Sequence, residues 1–322
     1  MEMKEIFKIN AKPYKGLFAY EYVILIYAAI TLLFALFAYT KLSSPNAFIW
    51  GRMRIVAMMG GLWVVYRLVP CRFTAFIRVG VQMGLLAWWY PDTYEINRIL
   101  PNLDHLFAHI EQVAFGFQPA LVFAEKFSSP VVSELMSMGY ACYYPIIVLT
   151  TLMFFFNRYE EFHKCVFVIM ASFFTYYIMF DFIPVAGPTY YYHAVGLDNI
   201  MQGVFPNIGH YFNDHKECLS TPGYTNGFFY SLVEDAKAAG ERPTAAFPSS
   251  HVGVSTVCML LLMHARFKKL WIALLPVYAF LCMATVYIQA HYAIDAIAGF
   301  VSAIVFYFFF MNFYTKNEKS LM

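Results

Sequence analysis

Charge is scarce in this sequence. Asp, Glu, Lys and Arg make up 13% of its 322 residues, and hydrophobic residues 61%. A soluble domain carries about 25% and 45–50%. The shortage excludes disorder, collagen and coiled coil, and it argues against a soluble enzyme. Close cysteine spacings are lacking too. The six cysteines include no CxxC pair, and only Cys218 sits in a clearly polar loop, so a disulfide scaffold is excluded. No basic patch accompanies the net charge of +2, so no nucleic-acid partner is expected. Strand-like alternation, internal repeats and low-complexity tracts are absent. The first apolar run is too long for a signal-peptide core and is expected to be retained.

What is present is apolar and aromatic, with 34 Phe and 25 Tyr. A bilayer-crossing helix needs about 20 apolar residues. Eight runs qualify, at about 20–42, 53–70, 74–90, 131–156, 163–184, 250–266, 269–289 and 291–314. The sequence therefore predicts an all-α, polytopic transmembrane bundle forming one integral membrane domain over 1–322. Gly60 and Gly61 suit close helix packing. Most Lys and Arg fall on one side if both termini are cytoplasmic, although Arg52 and Arg54 fit that topology poorly. Two long polar stretches then lie on the other, periplasmic or lumenal, side. Residues 91–130 contain an amphipathic segment from Asn102 to Lys126, expected at the interface. Residues 185–249 are expected to form a cap loop.

Two short motifs hold the chemistry. Phe247-Pro248-Ser249-Ser250-His251 directly precedes an apolar run. Either Ser can cap a helix there, and free N–H groups at a helix start favour an anion. Gln289-Ala290-His291-Tyr292-Ala293-Ile294-Asp295 opens the last run, with His291 and Asp295 on one helix face. Taken singly, the first reads sooner as an ordinary capped helix start with an interfacial His, and the second equally as a His–Asp pair that only locks helices together. Together they say more. His251 and His291 are 40 residues apart, about two bilayer crossings, so both emerge on the same face. Two histidines, a carboxylate and a helix start form a phosphoryl-transfer site. One imidazole attacks phosphorus and the other protonates the leaving oxygen.

FPSSH followed by HYAID resembles the second and third signature motifs of the type 2 phosphatidic acid phosphatase superfamily, over roughly 180–310. AAFPSSHVG with ATVYIQAHYAID resembles its inositol phosphorylceramide synthase (inositolphosphotransferase) branch. Like that branch, the sequence lacks the phosphatases' Arg six residues before the second His; Thr285 stands there. The resemblance implies a six-helix phosphatase-like core plus extra N-terminal spans. It makes His291 the nucleophile that becomes phosphohistidine, Asp295 its orienting carboxylate and His251 the general acid. Ser249 and Ser250 would cradle phosphate, and no metal or other cofactor would be needed. Ile183-Pro184-Val185-Ala186-Gly187-Pro188-Thr189-Tyr190 resembles the branch's proline-rich segment. The superfamily's first motif, Lys-x6-Arg-Pro, is out of register, because Asp235 occupies the Lys position relative to Arg242-Pro243. Arg242, then Lys237, are the candidate cations for the transition state.

The expected function is a lipid phosphotransferase that moves a phospho-headgroup from a phospholipid donor to ceramide or another lipid alcohol. With water as acceptor it would be a lipid phosphatase. A non-catalytic transporter is the alternative from another class. A haloperoxidase shares the histidine logic but is soluble and carries the missing Arg pattern. Asp181 and Tyr190 are candidate headgroup or cap residues. His105 and His109 have the i, i+4 spacing of a zinc pair, but they read first as the polar face of an interfacial helix, and no metal site is expected. His193, His210 and His215 read as loop residues, and Trp88-Trp89 as an interfacial belt.

Overall fold

The structure, a computed structural model, describes residues 3–321. Among them every regular element is a helix. A short α1 (Met3–Phe7) precedes α2 (Ala19–Phe37), α3 (Pro45–Leu68), α4 (Arg72–Gly84) and α5 (Leu86–Asn97). Then come α6 (Asp104–Phe115), α7 (Pro119–Lys126), α8 (Pro130–Ala141), α9 (Tyr143–Asn157) and α10 (Tyr159–Phe182). After α11 (Pro188–Val195), α12 (Leu197–Met201) and α13 (Phe228–Gly240), the chain ends in α14 (Ser250–His264), α15 (Lys268–Tyr287) and α16 (Ala293–Leu321).

Among the described residues five helices are long and apolar enough to cross a membrane: α2, α3, α10, α15 and α16 over Ala293–Asn317. The chain is an integral membrane protein by this measure. The pair α8–α9, bent by 48°, is long and apolar enough for a sixth crossing only if the two helices act as one span. Pro145 in the first turn of α9 explains the bend, since its ring crowds the Ala141 carbonyl four residues back. The expected span at 74–90 is instead two short helices, α4 and α5, broken at Leu85. Each spans only about 20 Å, too short to cross alone. The run at 250–266 yields α14, which is apolar but only 15 residues long.

From Cys165 to Phe180 α10 is largely buried, and it lies at the centre, packed against α2, α5, α9, α14 and α16. α14 is held between α9, α10, α15 and α16. Gly253 permits the α10 contact, because a Cβ there would collide with the Tyr176 hydroxyl. Gly60 and Gly61 do not mediate packing: both are exposed, and a Cβ on either would meet nothing within 4 Å. Arg52 fits the topology poorly because it is not a surface charge. It is buried, 2.5 Å from Asp92, with its guanidinium 3.2 Å above the Phe48 ring. Trp89 is core rather than belt, fully buried edge-on to Tyr27; Trp88 remains partly exposed.

The amphipathic segment splits into α6 and α7 at Gly116, whose φ of 79° ends α6. Its polarity runs opposite to that of a surface helix. Asp104, Ala108 and Glu111 are buried, while Leu106, Ile110 and Val113 are exposed. The stretch 185–249 contains α11, α12 and α13 and folds back onto the bundle. The Glu134 carboxylate on α8 accepts the N–H groups of Phe229 (3.1 Å) and Tyr230 (3.0 Å), capping the start of α13.

Candidate active site

The site forms where α14 begins and where the α15–α16 turn closes on it. Ser249 caps α14, its Oγ accepting the Val252 N–H at 3.4 Å. Its own N–H donates to the Asp295 carbonyl at 3.0 Å. Gly299 permits this approach of α16, because a Cβ there would strike the Ser249 carbonyl oxygen. Ser250, also buried, is the first residue of α14. His251 follows in the first turn, with the rings of Tyr143 at 4.4 Å and Tyr140 at 4.6 Å packed on its imidazole.

His291 lies in the turn between α15 and α16. Its N–H donates to the Thr285 carbonyl at 3.0 Å, and Gln289 takes a left-handed φ of 64° to make the turn. The two imidazoles meet: His291 Nε2 is 3.4 Å from His251 Nδ1. On the opposite edge of the His291 ring, Nδ1 is 2.7 Å from the Ala246 carbonyl oxygen. A carbonyl only accepts, so Nδ1 carries the proton and the Nε2 lone pair faces His251. Burial pushes the His291 pKa down to about 4, so the ring is neutral at pH 7.

Asp295 Oδ2 is 3.8 Å from His291 Nδ1, outside hydrogen-bond range, and accepts the Tyr292 N–H at 2.8 Å. The direct orienting contact on His291 is therefore a main-chain carbonyl, with the carboxylate next to it. Asp295 Oδ1 is buried and makes no hydrogen bond.

Behind the histidines stands a polar frame. Asp104 accepts from the N–H groups of Ala186 (2.7 Å) and Gly187 (2.8 Å) and from the Tyr292 hydroxyl (3.0 Å). Burial still raises its pKa to about 6. The Ala246 N–H donates to the Val185 carbonyl at 3.0 Å. The proline-rich stretch thus braces the residue that orients His291. Glu111 Oε1 accepts the Ala293 N–H at 2.5 Å and so caps α16. Its other oxygen is buried without a partner, and burial raises its pKa to about 8. Reading α6 as a surface helix hid both acids. Their spacing of seven residues, two helical turns with Ala108 between them, was the available signal.

The candidate cations differ. Lys237 is tied to Thr221 Oγ1 (2.7 Å) and Glu234 (3.3 Å). Arg242 is half-buried and forms no ion pair among the described residues; its Nη1 donates to the Glu241 carbonyl at 3.0 Å. Neither makes a hydrogen bond to the histidines. Glu241, which sequence reasoning passed over, lies within electrostatic reach of His291, and burial raises its pKa. Its Oε2 is buried without a partner. Tyr190 is buried within reach of Glu241 and Arg242. Asp181 sits elsewhere, buried on α10 with Arg52 and Asp92 as its charged neighbours. Where phosphatases carry Arg, the buried Thr285 bonds back to the Cys282 carbonyl at 2.8 Å. His109 is exposed. Among the described residues no three His, Cys, Asp or Glu side chains gather as a metal site requires.

Residues 105–309 match the family model of the PAP2 superfamily, well over half of the chain. The chain belongs to the PAP2 superfamily. Members of this superfamily are generally phosphatases and phosphotransferases. The PAP2 match runs from the second residue of α6 into α16, so it includes Glu111 and both histidine motifs and begins just after Asp104. Helices α2 to α5 lie before it. Neither the curated proteins nor the solved structures include a match.

Proposed function

We propose that this PAP2 protein is a metal-independent lipid phosphotransferase of the inositol phosphorylceramide synthase type, working through a phosphohistidine at His291. The observation that carries this reading is the orientation of His291: a neutral ring whose unprotonated Nε2 faces His251 at 3.4 Å. In the first step Nε2 attacks the phosphorus of a phospholipid donor. The P–O bond to diacylglycerol breaks, and His251 gives its proton to the leaving oxygen. In the second step the acceptor hydroxyl loses its proton to His251. Its oxygen attacks phosphorus, the P–N bond breaks and His291 is restored. The phosphoryl group enters by parting the two rings.

Asp295 stabilises the positive ring that exists while phosphorus is bound to Nε2. Ser249, Ser250 and the free N–H groups of the first turn of α14 receive the phosphate oxygens, and Arg242 supplies the positive charge. Tyr190 borders the headgroup side. The acceptor is a lipid alcohol such as ceramide, in line with the branch-like FPSSH and HYAID surroundings and with Thr285 in place of Arg. The termini are cytoplasmic, and the site opens on the periplasmic or lumenal face beneath the cap formed by 185–249.

Lipid mass balance on purified protein tests this. Phosphatidylinositol with ceramide should yield diacylglycerol and a phosphosphingolipid in equal amounts, and His291→Ala should yield neither. Free phosphate from phosphatidic acid without any acceptor dependence would make the protein a lipid phosphatase instead. Turnover surviving in His291→Ala would refute the phosphohistidine.

A further inference from the structure

A cavity of about 370 Å³ lies between the α4–α5 break and α9, with Phe173 of α10 at its inner end. That volume is in the range of ligand sites. Its walls are apolar. The hydroxyl of Thr151 is spent on the Ile147 carbonyl of its own helix, at 2.9 Å. Tyr144 and Val148 form an open rim, each more than half exposed. In an integral membrane protein this apolar exposed surface faces lipid, so the cavity is continuous with the lipid interface. At the inner end Tyr143 joins it to the site. Its ring is 5.0 Å from Tyr144, 6.2 Å from Phe173 and 4.4 Å from His251. One ring therefore separates the cavity wall from the histidine pair.

We propose that this cavity holds one alkyl chain of the lipid whose phosphate lies between His251 and His291, and that Gly80 and Gly84 set the chain it accepts. The proposal rests on the functional reading above. A water-filled chamber has no polar partners here, and the surrounding bilayer supplies alkyl chains at the rim. The α4–α5 wall precedes the family match, so this half of the cavity is built by a part of the chain outside the superfamily region. Both glycines line the cavity, and a Cβ on either meets nothing within 4 Å. A side chain can therefore start at either position without a clash at its Cβ, leucine there extends into the cavity, and leucine is a better helix former than glycine.

The experiment compares the wild type with the double variant Gly80→Leu/Gly84→Leu in phosphatidylcholine nanodiscs. Dioleoyl and dihexanoyl phosphatidylinositol serve as donors. The ratio of kcat/KM for the long donor to that for the short one should fall by at least roughly tenfold, because each methylene denied burial weakens binding several-fold. An unchanged ratio overturns the proposal. In parallel, a phosphatidylinositol with a diazirine in its acyl chain should cross-link to peptides from Tyr144 to Leu152. The double variant should lose that label and keep the label on the outward-facing Phe308 and Phe309 of α16. Loss of label with an unchanged ratio identifies a structural lipid and also overturns the proposal. If the wild type turns over neither donor, the functional reading fails by itself, and the cross-link alone decides whether the cavity takes an alkyl chain.

Discussion

His291 Nδ1 lies 2.7 Å from the carbonyl oxygen of Ala246, five residues before His251. One main-chain carbonyl fixes the tautomer of His291, and the strand of chain that carries it runs directly into the helix start that carries His251. The two histidines are thereby set against each other by a single short segment. That segment is held from behind by Val185, and the stretch around Val185 is held by Asp104.

His251→Ala should lower kcat by about 10²–10⁴-fold, the usual contribution of a positioned acid or base. The loss should shrink for a phosphodiester donor with an acidic leaving group such as p-nitrophenol, which departs without a proton. Steady-state kinetics on the two donors check this; an equal loss on both would remove His251 from the acid role.

Arg242 and Lys237 should separate cleanly. Arg242 has no ion-pair partner to lose, so Arg242→Ala should cut kcat/KM by roughly 10²–10³-fold, as removal of a transition-state donor does, with little change in melting temperature. Lys237 is committed to Glu234 and Thr221. Lys237→Ala should lower the melting temperature and leave kcat/KM within a few-fold. Kinetics and thermal unfolding on the same preparations decide.

Glu111 and His291 give opposite pH dependences of stability. The folded Glu111 holds its proton up to about 8, while an unfolded Glu loses it near 4.5. The folded state binds the extra proton in that window, so this contribution is lost as pH rises from 4.5 to 8. Glu111→Gln keeps an oxygen for the Ala293 N–H and should melt higher than the wild type at pH 8, with the gap closing toward pH 5. For His291 the unfolded chain takes up a proton below 6.5, and the folded one only near 4. Stability falls as pH drops through that window, and His291→Gln should flatten the slope. Melting curves from pH 4 to 8 test both signs.

Arg78 and Glu21 form an ion pair in which both side chains are fully buried. Removing one partner strands the other charge, so Arg78→Ala should cost about 3–5 kcal/mol. The double replacement Arg78→Met/Glu21→Leu should recover most of it. Thermal unfolding in detergent reads the difference.

Much of this could be read from residue order. Apolar runs predict helices because a lipid-facing backbone must satisfy its own hydrogen bonds, and all eight runs are helical. The histidines were legible because the spacing of their motifs, one apolar helix out and one back, returns the chain to the same end of the bundle. The helix ends were less so. The 74–90 run reads as one span until the break at Leu85 divides it, and the 131–156 run reads as one straight helix until Pro145 bends it.

The sequence by itself determined the solvent this chain lives in, the helical class that solvent imposes, and the histidine and aspartate types that phosphoryl transfer uses. Tertiary structure alone decided which polar group each of them faces. His291 takes its orientation from the Ala246 carbonyl, which carries no side-chain signature. Asp104 and Glu111 point inward because the other face of α6 is the apolar one left exposed. Long-range contacts of this kind join residues 45 to 188 positions apart, and local pattern contains no record of them.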